Sequence, residues 1–255
     1  MRTVDIALEG EATVVGDVTN EEGGSAEESQ TVAEKRRGQI VDAAVRLFSE
    51  KGYFQTTIED VAGAVPVSKG LVYRYFKDKT DLLFYVLRYV LEKYRYEELQ
   101  QLVSDFGPLY ALTRVVNVHF VLAREHPQEV VLAYRSTKDL LPEQRRHIKV
   151  LESKTARLIR QCLEECIHHG LMIPVNTDIM AYQYIMFGHT WGLKNWAFRD
   201  RYSADEYMAE GEKILVRPFL TEAGREELRR IEESASGNGR PATAVSNNVK
   251  PVEGD

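Results

Sequence analysis

An all-α fold is what this sequence predicts, and three observations carry the prediction. Apolar residues recur at three- and four-residue spacing through most segments between residues 33 and 233. Pro108, Pro127, Pro142 and Pro174 stand at or near the ends of those segments, where helices start or stop. No stretch alternates apolar and polar residues as a half-buried strand does. The 255 residues, 44% hydrophobic and 28% charged, suit a globular chain of one or two domains.

Residues 1–32 are rich in Glu, Gly, Ser and Thr and show no sustained period, which predicts a disordered acidic tail. A first helix is expected over 33–50, its stripe of Ile40, Ala44, Leu47 and Phe48 turned inward and Gly52 ending it. Two short helices follow, joined by a tight turn. Thr57 and Asp60 have the spacing of a capping box, and Ile58, Val61, Ala62 and Val65 form the buried face. Pro66 stops that helix, and Ser68 caps the next, over KGLVYRYF.

The second of these helices has two faces. Val72 and Phe76, four residues apart, point to one side and need a core. The opposite arc carries Lys69, Gly70, Tyr73, Arg74 and Lys77, with Tyr75 beside it. A short two-faced helix after a tight turn, basic and aromatic on its outer side, has the geometry of a helix laid in a DNA major groove. Arg74 can fork onto guanine O6 and N7, and the Ser and Tyr hydroxyls suit phosphates or bases. Lys69, Lys77 and Lys79 sit near helix starts, where a cation opposes the macrodipole at a cost of roughly 0.3–1 kcal/mol each. Stability alone would place Asp or Glu there; lysine suits phosphate.

The net charge of −6 looks wrong for such a role until it is divided along the chain. Residues 33–96 hold 12 Lys and Arg against 8 Asp and Glu, whereas 1–32 carry −7 and 97–255 carry −3. Positive charge is confined to the segment with the reading helix.

The run AEKRRGQIVDAAVRLFSEKGYFQTTIEDVAGAVPVSKGLVYRYFKDKTDLL closely resembles the N-terminal domain of the TetR family of bacterial transcriptional regulators. It covers residues 33–83, about a fifth of the chain. The resemblance implies a three-helix helix-turn-helix DNA-binding domain over 33–79, a helical ligand-binding and dimerisation domain over 80–233, and a flexible tail over 234–255. It implies DNA-backbone contacts from Thr57, Ser68, Tyr73, Tyr75 and Lys79, and base reading from the Lys69–Arg74 region, which contains Gly70 and Leu71. Arg36 and Arg37 are further candidates for phosphate, as is Lys77. Two positions depart from the family's habit. Pro66 replaces the usual Gly, and Leu71 replaces a frequent Thr, exchanging a hydroxyl for apolar contact with a thymine methyl.

From Asp78 one long helix is expected to run to about Val103, with Leu82, Leu83, Val86, Leu87, Val90 and Leu91 inward. Further helices are expected over 108–125, 127–139, 142–169, 177–199, 203–219 and 222–233. The 177–199 helix is apolar nearly all round, so it should be buried on both sides. In the family the last two long helices of each subunit build a four-helix dimer contact. That resemblance places Tyr184, Phe187, Gly188, Trp191 and Gly192 at a homodimer interface, the two glycines allowing close approach.

Polar groups set into apolar helical stretches mark a candidate effector pocket: Asn117, His119 and Phe120 in VVNVHFVL, Tyr134 and Arg135 in VVLAYRS. The segment HTWGLKNWAFRDRYSADEY is similar to the branch of the family that senses fatty acyl-CoA or other CoA thioesters. Cys162, Cys166 and His169 share a helix face, but helical cysteines usually pack as small hydrophobes and no fourth ligand is evident, so no metal is expected. No G-x-S-x-G, P-loop, H-E-x-x-H or G-x-G-x-x-G occurs. The expected protein is a cytoplasmic homodimeric repressor released from operator DNA by a small effector, without a cofactor, membrane span or catalytic role. An effector-independent DNA-binding dimer and a lipid- or CoA-binding enzyme are the alternatives.

Overall fold

Eleven α-helices follow one another in a computed structural model that describes residues 21–92 and 96–237. They are α1 (Glu21–Glu50), α2 (Ile58–Gly63), α3 (Lys69–Tyr75), α4 (Lys79–Glu92), α5 (Tyr96–Phe106), α6 (Pro108–Glu125), α7 (Pro127–Ser136), α8 (Pro142–His168), α9 (Thr177–Lys194), α10 (Ala204–Leu215) and α11 (Glu222–Gly237). Single 3-10 turns extend α7, α9 and α10. Among the described residues the sole strand-like feature is an antiparallel bridge between Met172 and Leu220, which ties the start of α11 to the end of α8. Of the predicted acidic tail, residues 1–20 lie outside the described residues, and 21–32 are helical. The first helix is thus already formed at Glu21, ahead of the expected 33, in a run whose Glu, Ala, Gln and Lys favour helix. Most of the predicted C-terminal tail also lies outside them, with α11 reaching Gly237.

The chain divides into two compact units, one ending at Gln39 and one beginning at Ile40. In the first, the described residues belong to α1. The second has two principal cores. One gathers Ile40, Ala44, Leu47 and Phe48 of α1, Ile58 and Val61 of α2, Val72, Phe76, and Leu82, Leu83, Val86 and Leu87 of α4. Leu132, Leu140 and Ile148, from α7 to α8, belong to the same cluster. The apolar stripe of α4 serves both the helix-turn-helix and the α7–α8 corner behind it.

The other core is built around α6, which packs on α5, α8, α9, α10 and α11 and buries residues on nearly every side. Of the long helix expected from Asp78 to Val103, residues 93–95 lie outside the described residues, and the parts on either side are α4 and α5. The apolar period that ends at Leu91 resumes at Leu99, Leu102 and Val103, and those three pack on the α6 core, not on the core of α4. At 1.5 Å per residue α4 is about 21 Å long.

Candidate DNA-reading surface

The reading helix is held from below and open above. Thr57 caps α2 through a reciprocal box: its Oγ1 accepts from the Asp60 amide at 3.1 Å, and Asp60 Oδ2 accepts from the Thr57 amide at 2.8 Å. Those bonds hold the Asp60 carboxyl below its usual range. Gly52, at φ +90°, turns the chain out of α1 where a side chain would be strained. Ser68 Oγ accepts from the Leu71 amide at 3.2 Å and starts α3. Val72 and Phe76 then plug into the core, Phe76 edge-on to Tyr85 of α4 with centroids 5.3 Å apart.

That anchoring leaves Ser68, Lys69, Gly70, Tyr73, Arg74 and Lys77 exposed, and Leu71 and Tyr75 half-buried. Tyr73, 47% accessible, is a large ring turned to solvent with nothing in the fold requiring it there. Lys79 is a different kind of residue. Its Nζ donates to the Phe54 carbonyl at 3.2 Å and lies 4.5 Å from the centre of the Tyr53 ring, and partial burial lowers its pKa. It is pre-positioned at the junction of the α1–α2 turn with the start of α4. Lys69 is also engaged: its ammonium donates to Glu59 of α2 and sits 5.7 Å from the centre of the Tyr73 ring. No spacing in the sequence points to Glu59, because the two residues lie ten apart on different helices. Arg36 belongs to the unit that ends at Gln39, where its Nη1 donates to Gln39 Oε1 at 3.1 Å.

The expected effector residues are partly dispersed. Asn117, His119 and Phe120 are buried on α6, but Tyr134 and Arg135 are exposed on α7, which turns the polar end of AYRS outward. Asn117 Oδ1 is buried without a hydrogen-bond partner among the described residues. The His119 ring centre lies 4.6 Å from that of His189 on α9. The Tyr134 hydroxyl reaches His189 Nδ1 at 2.8 Å. Burial depresses both histidines, His119 to about 3 and His189 to about 4, so both are neutral at ordinary pH. A separate cleft of about 450 Å³ opens between α1, the Tyr89 end of α4 and the α6–α7 turn, with Asp42, Arg46, Glu125, His126 and Glu129 in its walls. Burial, with the Asp42 carboxylate next to it, raises the Tyr89 hydroxyl to about 12. None of the five expected pocket residues lines that cleft. Cys162 and Cys166 are fully buried in the α6 core, and burial pushes both thiols up to about 12.

The expected dimer residues pack within their own chain. Tyr184 donates its hydroxyl hydrogen to the Leu215 carbonyl at 2.8 Å, and Phe187 stacks on Tyr207 of α10 with centroids 4.4 Å apart. Trp191 is buried in the cluster formed by Phe120 and Tyr207. A Cβ at Gly188 would come within 3.1 Å of His119, and one at Gly192 within 3.3 Å of the Ala123 carbonyl oxygen. The two glycines do permit close helix approach, but the approaching helix is α6 of the same subunit. Apolar residues all round a helix announce two buried sides without saying which is intramolecular. The side left open carries Ile179, Tyr182 and Met186, accessible to 61%, 56% and 40%.

A capped two-helix corner whose second helix is seated by two apolar plugs and presents Tyr, Arg and Lys to solvent defines a helix-turn-helix DNA-binding protein. This chain belongs to the TetR family: residues 40–86 match the profile described as bacterial regulatory proteins, tetR family, and 108–201 match the tetracyclin repressor-like C-terminal domain. It is 42% identical over 212 residues to the HTH-type transcriptional regulator HbdR of Aromatoleum sp. (strain CIB), spanning 83% of this chain and 93% of that protein. The fold is similar to AibR in complex with isovaleryl coenzyme A and operator DNA, with TM-score 0.63, 22% identity, and coverage of 72% of this chain and 100% of that one. It is also similar to FadR of Bacillus subtilis in complex with stearoyl-CoA, with TM-score 0.56, 21% identity, and coverage of 69% and 94%. The protein is thus a DNA-binding transcriptional regulator and not an enzyme. No helix among the described residues is long and apolar enough to cross a membrane.

Proposed function

We propose that the protein is a homodimeric repressor whose hold on operator DNA is released by a small effector of CoA-thioester type. The observation that carries the reading is the anchoring of α3: Val72 and Phe76 fix the helix while Lys69, Tyr73, Arg74 and Lys77 stay exposed. Two subunits place two such helices about one DNA turn apart, roughly 34–36 Å. The face of α9 carrying Ile179, Tyr182 and Met186 is the one available to the second subunit. Such an apolar stripe is costly to leave in water.

The effector's contact point in this reading is the interior of α6, where the orphaned Asn117 Oδ1 needs a donor that a ligand amide or hydroxyl can bring. The likeness of residues 189–207 to acyl-CoA sensors supports the thioester class, as do the two CoA-bound regulators of the same fold. Movement passes through α4, whose stripe packs on both the helix-turn-helix and the α7–α8 corner. A differential affinity of about 1–3 kcal/mol between the DNA-competent and released states makes a working switch.

Operator binding titrated with short- and long-chain acyl-CoA tests this, and a tenfold or greater loss of DNA affinity is expected. If no thioester changes it, the protein is an effector-independent binder or senses another class. Two variants separate the contact types. Arg74→Ala should relax preference at one base position at a cost of about 1–3 kcal/mol. Lys79→Ala should weaken operator and random DNA alike and flatten the salt slope by about one unit. Equal losses on both DNAs for Arg74→Ala would contradict a base-reading role.

A further inference from the structure

Lys69 occupies the first turn of α3, but its ammonium does not stand free above the reading surface. Glu59, on the exposed side of α2 next to the Thr57 cap, accepts its hydrogen bond, and the Tyr73 ring flanks it 5.7 Å away. Both partners are more than half-open to solvent or close to it, so nothing in the core requires the pair. The Glu59 carboxyl is held below its usual range by this bond and the Lys69 ammonium above its own. Asp60, the neighbouring acid, is committed to the α2 cap. Glu59 also stands in the first turn of α2, where an acid suits the helix dipole, but it takes no part in the Thr57 capping box. It is a negative charge set on the face that meets a polyanion, which a sequence selected only for DNA affinity would avoid.

We propose that Glu59 is a specificity-determining residue, which withholds Lys69 from the phosphate backbone and directs it to a base edge. On random DNA a lysine gains by neutralising a phosphate and releasing a counterion. Paired with Glu59, its charge is already compensated and that gain is suppressed. In the major groove the pair can stay together: Lys69 keeps hydrogens for guanine O6 or N7 while Glu59 retains its hold. The carboxylate therefore penalises backbone binding more than base reading, and raises the ratio of operator to random affinity without adding a contact of its own.

The test uses Glu59→Gln in the full chain, with operator and random duplexes compared across salt. Gln keeps the size of the side chain and removes its charge. Random-DNA affinity should rise about tenfold at 50 mM salt and about threefold at 200 mM, the log–log slope steepening by about 0.9 as one more phosphate is neutralised. Operator affinity should stay within about twofold, so the specificity ratio falls by roughly fivefold at low salt. Combining Glu59→Gln with Lys69→Ala should erase the gain on random DNA relative to Lys69→Ala alone. An equal rise on both duplexes, an unchanged salt slope, or a gain that survives in the double variant would overturn the proposal, since each reduces Glu59 to a general surface charge.

Discussion

Replacing Phe76 by Ala is expected to abolish operator binding and to lower the melting temperature by roughly 10 °C, at a cost of about 3–5 kcal/mol. Phe76 follows the last residue of α3, is 1% accessible, and meets Tyr85 of α4 edge-on. A helix of seven residues has no stability of its own, so its orientation depends on its two buried plugs. Removing the larger one empties the space beneath the reading face and lets α3 fray. The control is Tyr73→Ala three positions earlier, an exposed ring whose loss should leave stability within about 0.5 kcal/mol while weakening DNA binding. Circular-dichroism melts with operator titrations of both variants decide the matter. A melting loss for Tyr73→Ala as large as that for Phe76→Ala would mean that the exposed face is structural, and the division of labour on α3 would be lost.

The same two residues show which parts of the molecule the sequence makes legible. Caps, turns and the seating of α3 are local, and Thr57, Ser68, Gly52, Val72 and Phe76 each take the place that residue chemistry and helical spacing assign them. Helix boundaries at Pro108, Pro127 and Pro142 are legible for the same reason. What sequence cannot convey is which partner a face meets. The stripe from Leu82 to Val103 reads as one helix because its period nearly continues, yet its two halves belong to different cores. Gly188 and Gly192 announce a close neighbour, and only the arrangement of α6 in space shows that the neighbour is internal. The Glu59–Lys69 pair joins residues on two helices that a turn folds together, so no periodicity points to it. Tyr134 reaches from α7 to His189, which lies against His119, a link between three helices that no spacing in the sequence points to.

Charge placed on the open face of α9 is expected to separate the subunits. Tyr182 and Met186 lie four apart on one side of that helix, beside Ile179 and in reach of Tyr134, whose hydroxyl lies 3.2 Å from the Met186 sulfur. In an isolated subunit these side chains are exposed, so Tyr182→Asp with Met186→Asp should change the stability of the monomer little. In a symmetric dimer each introduced carboxylate is buried beside its own symmetry copy, where unpaired like charges are strongly unfavourable. The variant should therefore sediment as a monomer with unaltered helicity. Its operator affinity should fall by about 10²–10⁴-fold, because binding of the second half-site ceases to be intramolecular. Gly188→Ala is the contrasting change: its added methyl meets His119 and the Phe120 backbone inside the subunit, so it should lower stability and leave the association state alone. A dimer that survives the two aspartates, or one that dissociates on Gly188→Ala with the fold intact, would return the interface to the side of α9 that faces α6 and remove the physical basis for pairing two reading helices through this stripe.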